Sequence, residues 1–354
     1  MSALPHGRSI LTWISGRAGS LTDRTFRVRL LVQAGFAFTC VLLGIQFARF
    51  YTAAMAGATP LPTRPPGAEA FLPISGLMGI LDWFYQGALN PIHPAATVLV
   101  VVAILLAILL RKSFCSWICP VGFFSELLAR FGRWSFGRNF RPWKWLDIPL
   151  RSLKYLLMAF FVVAVVMMGA AELADFISSP YNKVADVKMG LFFVHMSQVG
   201  IIVMGSLAVG SVFIQGFWCR YMCPYGALLG LFSWMSPTRV KRNESTCISC
   251  ERCDAVCMAR LPVSKSLAVV STECTGCLDC LAVCPVKDTL VVQVGGRRVS
   301  HLRYAAAVVG LFAVGYVGAQ VTGLWHNQIS DEEYVERIQN MNGPEYGHPG
   351  MDGP

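Results

Sequence analysis

The chain has 354 residues, of which 55% are hydrophobic and only 14% charged, against roughly 25% charged in an ordinary soluble domain. Mean hydropathy is positive, which excludes a water-soluble globule of this size and makes lipid part of the solvent. The net charge of +10 would suit a nucleic-acid binder, but its distribution along the chain is that of membrane topology, and no nucleic acid is expected as a partner.

In chain order, residues 1–29 carry five arginines and no apolar core long enough for a cleavable signal peptide. Five apolar stretches follow, at 30–50, 92–110, 153–172, 196–217 and 302–321. Each is long enough to cross a ~30 Å hydrocarbon core at ~1.5 Å per helical residue. The segments around them alternate in basic residues: 1–29, 111–154 and 219–303 hold five, nine and eleven, whereas 51–92, 172–195 and 322–354 hold one, two and one. The positive-inside rule then puts the amino terminus in the cytoplasm and the carboxyl terminus outside, as expected for a multi-pass protein of a bacterial inner membrane. Segment 51–91 reads as an outer loop rich in Pro and Gly, with an amphipathic piece, LMGILDWFYQGAL. The acidic stretch 323–354 reads as a periplasmic tail that starts as a short helix and then loses regular structure. Trp13, Trp83, Trp143, Trp145 and Trp325 are expected in the interfacial belt.

The expected fold is an α-helical integral membrane bundle of five transmembrane helices. A small α+β domain of the bacterial two-cluster ferredoxin type is inserted before the last helix. The boundaries read are 1–29 for the cytoplasmic segment, 30–235 for a four-helix membrane domain, 236–300 for the ferredoxin domain, 301–322 for the fifth helix and 323–354 for the tail.

Thirteen cysteines carry the chemistry. The strongest pattern is CISCERCDAVC (247–257) followed by CTGCLDCLAVCP (274–285), each reading C-x2-C-x2-C-x3-C. In such paired runs three closely spaced thiolates wrap one face of a [4Fe–4S] cubane, and the fourth cysteine of each run ligates the other cluster. Cys247, Cys250, Cys253 and Cys284 are therefore assigned to one cluster, and Cys257, Cys274, Cys277 and Cys280 to the other. The first run ends in Cys257-Met258 rather than Cys-Pro; the proline ends a helix and binds no iron, so its loss matters little. A pair of zinc sites is the plainer alternative, though zinc takes paired cysteines rather than two runs of four.

The remaining motif is an internal repeat: FCSWICPVGFFSELLARF (114–131) aligns without a gap with WCRYMCPYGALLGLFSWM (218–235). Each copy follows a span running inward, so the two are parallel repeats whose cysteines can meet about an axis along the membrane normal. Cys115, Cys119, Cys219 and Cys223 have three readings: ligands of a third cluster or a metal ion, a redox dithiol, or buried packing thiols. Proline after each pair suits a helix start, whose positive end favours thiolate. A reducing cytoplasm favours metal or cluster over disulfide. Cys40, alone in the first span, reads as a packing residue.

The combination of FCSWICP, WCRYMCP and two cluster runs, over about residues 90–300, resembles the membrane polyferredoxin family. That family includes the quinol-dehydrogenase subunit of periplasmic nitrate reduction (NapH), the membrane part of the nitrous-oxide reduction factor (NosR) and an assembly factor of cbb3 oxidases (CcoG/RdxA). The resemblance implies electron transfer between the quinone pool and a partner redox protein. Two departures stand out. No flavin-binding domain precedes the bundle, unlike the nitrous-oxide factor, and a fifth span and tail extend beyond the four-span nitrate pattern.

His93 and His195 stand 22 and 24 residues before Cys115 and Cys219, at the outer mouths of the two repeat helices. They are candidates for a quinol site or for haem b, since quinol oxidation releases protons that an imidazole can take; lipid-facing anchors or helix caps are the alternative. The function expected is that of an electron-transfer subunit, with quinol dehydrogenase activity as one possibility. A copper-reducing or metal-handling assembly factor is the alternative, with the same four cysteines as its metal site. A redox-sensing regulator ranks behind both, because no segment resembles an output domain.

Overall fold

The computed structural model describes residues 24–347, apart from the Lys144 side chain. All five apolar stretches are helical: α1 Arg24–Met55, α2 Pro94–Leu110, α3 Lys144–Val166, α4 Gln198–Phe213 and α5 His301–Val321. Helices α1, α3 and α5 are long and apolar enough to cross a membrane. The short helix Ala185–Val194 and α4, bent by 76° at the break between them, make a fourth span if taken as one broken element, and α2 is apolar but shorter. Against the five full-length spans expected, three helices qualify outright, a fourth only as a broken pair, and the 17-residue α2 falls short. Large apolar side chains lie bare along these helices, among them Phe160 at 66% and Val321 at 81% exposed. Apolar surface of that extent is stable only against lipid.

Helix α3 departs most from the expected bounds, beginning at Lys144 rather than 153 and ending at Val166 rather than 172. The added first turns carry the charges of Asp147 and Arg151, and Lys154 follows. Two of these charges are neutralised inside the protein: Asp147 pairs with Arg220 at 2.8 Å and Lys154 with Glu273 at 2.6 Å. Paired and hydrogen-bonded charges can be carried in a helix that continues into apolar surroundings.

The chain divides into two compact units. One comprises 24–37, Ile104–Met158 and Ile202–Gly310; the other comprises Phe38–Ala103, Ala159–Ile201 and 311–347. The ferredoxin segment shares a unit with pieces of all five helices.

In the first unit a four-stranded antiparallel sheet forms from β1 Thr238–Arg242, β2 Ala268–Val269, β3 Leu290–Val294 and β4 Arg297–Val299, in the order β2-β1-β3-β4. Val240 stands opposite both Val269 and Val292. All three are buried, while the neighbouring Arg239 and Lys241 face water, the alternation of a half-buried sheet.

The second unit packs Phe50 and Ala54 of α1 against Val184, Val187, Tyr334 and Ile338. The expected tail is in part a structured element: Asp331–Asn340 is a helix capped by Ser330, whose Oγ accepts from the Glu333 amide at 3.2 Å. Its buried Tyr334 and Ile338 are four residues apart, the spacing of one helix face. Trp325 is also buried, among Ala95, Ala319 and Tyr316, and so is not a belt residue. Trp83, Trp143 and Trp145 are exposed, as a belt requires, and Trp13 lies outside the described residues.

Candidate iron–sulfur centres

Two cavities open in the ferredoxin segment. The first is lined by Cys247, Cys250, Cys253 and Cys284, with Arg242, Ile248 and Pro285 among its other walls. The second is lined by Cys257, Cys274, Cys277 and Cys280, with Val240, Val263, Val269 and Leu278. Each cavity thus gathers three cysteines of one run and the last cysteine of the other. Among the described residues no three such side chains stand close enough to hold a single metal ion. A cubane, whose thiolates sit at the corners of a larger body, fits this donor set better than one zinc ion at ~2.3 Å from each sulfur.

The backbone repeats as closely as the cysteines do. In the first run Ser249 and Glu251, on either side of Cys250, have φ of 53°. In the second run Gly276 and Leu278, on either side of Cys277, have φ of 62° and 64°. Left-handed backbone costs an L-residue ~1–2 kcal/mol, so three non-glycine cases at matched positions are not local accidents. Such turns aim successive amide N–H groups into one concavity, an arrangement suited to anions and to iron–sulfur groups. The Ser249 amide and the Arg242 guanidinium hold the Cys247 thiol below its usual range. Burial acts the other way on Cys253 of the first cavity, pushed up to about 11, and in the second cavity, pushing Cys257 up to about 11 and Cys277 and Cys280 well up. Thiolate in that cavity needs a compensating cationic group, which a metal supplies on binding.

The four C-x3-C-P cysteines also come together, in the same unit. Cys219 feels the charges of Cys223, Cys119 and Cys115, and Cys115 those of Cys119 and Cys223. Pro120 and Pro224 begin helices Pro120–Phe136 and Pro224–Ser233, as the motif predicts. Those helix starts do not make the bare thiols acidic: burial outweighs them and pushes Cys115 up to about 12 and Cys219 well above the ordinary thiol range. Cys223 is raised as well, although its sulfur accepts from the Gly226 amide at 3.3 Å. These four half-buried thiols, with Lys112 and Lys154 near them, form a donor set for a cluster rather than for a single ion. Cys40 is half-buried on α1 and lies in the other unit from α1's first turns.

Several residues that sequence reasoning passed over hold these loops. Arg111 follows the end of α2 in the left-handed conformation, φ 62°. Its buried guanidinium donates to the carbonyls of Thr238 and Val269, each at 2.8 Å, and to Ser233, Val270 and Ser271 at 3.2–3.4 Å. Glu273, next to Cys274, accepts from Lys154 at 2.6 Å, Tyr155 at 2.8 Å and Lys112 at 3.2 Å. Burial opposes its ionisation, but the two lysine charges and these hydrogen bonds bring its carboxyl down to about 2. Arg29 of α1 is buried between Glu126, at 2.6 Å, and Asp279, at 3.0 Å, the latter lying between Cys277 and Cys280. Gly122 and Gly226, three residues after Cys119 and Cys223, stand in the aligned repeat as CPVG and CPYG. A Cβ on Gly122 would stand 2.2 Å from the Cys115 carbonyl oxygen, which gives that glycine a steric reason.

The matched histidines do not share an environment. His93 is 5% exposed, with Nε2 at 2.7 Å from the Asn182 carbonyl and Nδ1 at 3.4 Å from Glu69 Oε1. Glu69 is held in turn by Arg64 at 2.9 Å, which also pairs with Asp186 at 2.7 Å. His195 is exposed at the break after Ala185–Val194. The Asn182 carbonyl thus occupies one ring nitrogen of His93, and the Glu69 carboxylate faces the other.

Comparison with known proteins agrees with the site. Segments 92–139 and 196–243 match a 4Fe-4S binding domain, at the same offset that relates the two C-x3-C-P copies, and 239–296 matches a 4Fe-4S dicluster domain. The chain is 41% identical over 309 residues to YccM of Escherichia coli, named as an electron transport protein, covering 85% of each chain. It is 26% identical over 202 residues to the ferredoxin-type protein NapH of Escherichia coli, covering 55% of this chain and 66% of that one. To the regulatory protein NosR of Pseudomonas aeruginosa it is 27% identical over 181 residues, covering 48% of this chain and 23% of that one. No solved structure matches the chain. With two iron–sulfur domain types, apolar helices and a relative matched over most of its length, the chain belongs to the membrane polyferredoxin family of NapH and NosR type, whose members are iron–sulfur electron-transport proteins.

Proposed function

We propose that the protein carries electrons between the quinol pool of a bacterial inner membrane and a partner redox protein. Two [4Fe–4S] clusters would be held on the cytoplasmic side of five membrane spans. The observation that carries this reading is the pair of four-cysteine cavities, each built from three thiols of one run and the last of the other. Cys247, Cys250, Cys253 and Cys284 would hold one cluster, and Cys257, Cys274, Cys277 and Cys280 the second. When bound, the clusters supply one-electron carriers. The protein's part is to fix their spacing, exclude water from the inner cavity and place positive charge nearby.

The quartet Cys115, Cys119, Cys219 and Cys223 is proposed to hold a third metal group, its negative charge balanced by Lys112 and Lys154. In the outer half, buried His93 beside Glu69 is a pair able to take a proton released by quinol, with His195 exposed to the surroundings. The basic segments at 1–29, 111–154 and 219–303 support the orientation.

Metal analysis of protein purified anaerobically tests the cofactor content. About eight irons per chain with matching sulfide are expected for the two cavities, and about ten to twelve if the quartet is filled with iron as well. Copper at the quartet would favour an assembly factor instead. Quinol-driven bleaching of the iron–sulfur absorbance in membranes is the expected sign of the quinol link. Absorbance that only dithionite bleaches would remove quinol from the account.

A further inference from the structure

We propose that the two C-x3-C-P loops are positioning devices that distinguish the two ferredoxin cavities. They hold the cavity of Cys257, Cys274, Cys277 and Cys280 against the membrane-side cysteine quartet. The cavity of Cys247, Cys250, Cys253 and Cys284 is left as the water-facing port. The inference rests on the reading that both cavities hold [4Fe–4S] clusters.

The tethers run to one cavity. Between Cys115 and Cys119, Ser116 Oγ donates to the Thr275 carbonyl at 2.7 Å and Trp117 Nε1 donates to the Gly276 carbonyl at 3.0 Å. Thr275 and Gly276 are the two residues between Cys274 and Cys277 of the second cavity. Between Cys219 and Cys223, Arg220 donates to the Ala259 carbonyl at 2.8 Å, two residues after Cys257, which lines the same cavity. Arg220 is itself fixed by Asp147, at 3.0 and 2.8 Å, and Tyr221 donates to Asp147 at 2.6 Å. The two copies of the repeat thus reach the two separate chain segments that complete one cavity.

The approach is close. Gly276 has no room for a side chain, since a Cβ would meet the Tyr304 hydroxyl at 2.3 Å. Tyr304 is fully buried, donates to the Leu110 carbonyl at 2.6 Å and lies against the Trp117 ring. Glu273 with Lys112 and Lys154 spans the same gap, because both lysines act on Cys115 and hold the residue before Cys274.

The first cavity has a different setting. Its Cys250 is exposed, Ile248 is 64% exposed, and Glu251, Arg252 and Pro285 also face water. Its hydrogen bonds stay within the ferredoxin segment, as in Thr246 with Thr289 at 2.9 Å and Asp254 with Ser264 at 2.6 Å. In the second cavity Val240, Val263, Val269 and Leu278 are all buried. Electron exchange with a redox group outside this chain requires close approach and no bond making. One electron leaves the donor and reduces the acceptor at the exposed face, while the second cavity, with no exposed side chain in its lining, faces the quartet.

The test uses full-length protein purified anaerobically, reduced with dithionite and examined by electron paramagnetic resonance. Cys250→Ser identifies the first-cavity signal through a change in its spectrum. A water-soluble dysprosium chelate is then added to the wild type. The expected result is faster relaxation of the first-cavity signal, with the second much less affected. Equal enhancement, or the reverse order, overturns the inference while leaving two clusters in place. Absence of both signals from iron-free protein overturns the cluster reading and the inference with it. Trp117→Phe and Ser116→Ala, which keep the packing and remove one hydrogen bond each, supply the second measurement. Each is expected to shift the spectrum or midpoint potential of the second-cavity signal and leave the first unchanged. A shift confined to the first signal contradicts the assignment.

Discussion

In the first copy of the repeat, α2 stops at Leu110 and Arg111 takes the left-handed conformation; in the second, α4 stops at Phe213 and Gly216 does so with φ 67°. Both copies then place a cysteine pair, a proline that starts a helix and a glycine two residues on. What the copies share is the backbone needed to bring four thiols together. They differ in how they fasten to their surroundings. The first uses Arg111, Ser116 and Trp117 against backbone carbonyls, and the second uses Arg220 locked by a carboxylate. The shared motif accounts for the common plan, and the different chain segments that the copies meet, Thr275 and Gly276 for the first and Ala259 for the second, account for the divergence.

The largest expected break comes from Arg111→Gly, which makes the first helix end like the second. The left-handed strain is relieved, but five buried carbonyls lose their shared charged donor. A net loss of ~3–4 kcal/mol is expected, since each hydrogen bond to a charged group is worth ~1.5–3 kcal/mol and such contributions are not additive. The midpoint of thermal unfolding in detergent measures it, and a change within error would mean that the guanidinium does not anchor this end.

Asp147→Asn should do comparable but smaller damage in the second copy. Arg220 keeps the Ala259 carbonyl and loses its paired charge, at a cost of ~2–3 kcal/mol for a partly buried ion pair. Lowered retention of iron without loss of helical signal is the expected result. Full retention would place the second tether elsewhere.

The glycines sharpen the contrast. At Gly122 a Cβ would meet the Cys115 carbonyl at 2.2 Å, whereas at Gly226 the nearest atom is the Cys223 sulfur at 3.6 Å. Gly122→Ala is therefore expected to cost ~1–3 kcal/mol by overpacking against backbone. Gly226→Ala should be neutral, or stabilising by ~0.5–1 kcal/mol through helix propensity. Equal effects at the two sites would remove the steric asymmetry. Trp117→Phe removes one neutral hydrogen bond, a small loss of ~1 kcal/mol read as a slight fall in the unfolding midpoint.

Much of this was legible in the residues. The crossed grouping of eight cysteines follows from C-x2-C-x2-C-x3-C spacing, and the cavities gather the same two sets. The apolar stretches are helices because runs such as PAATVLVVVAILLAILL carry no group that prefers water. What stayed hidden depends on contacts distant in sequence. The start of α3 at Lys144 was hidden because Arg220 and Glu273, the partners of Asp147 and Lys154, lie 73 and 119 residues away. The short helix at the start of the tail was legible, but its packing through Tyr334 and Ile338 against Phe50 and Val187 was not, because those partners lie far away in the chain. The difference between His93 and His195 was not readable from two similar offsets, since burial depends on Glu69 and Asn182.

The most direct test of the central claim is the electron paramagnetic resonance spectrum of reduced Cys284→Ser protein, with iron measured on the same sample. Cys284 belongs by sequence to the second run but lines the cavity of Cys247, Cys250 and Cys253. The expected result is loss or alteration of the signal assigned to that first cavity, with the signal of Cys257, Cys274, Cys277 and Cys280 intact. Loss of the second-cavity signal alone would contradict the crossed arrangement.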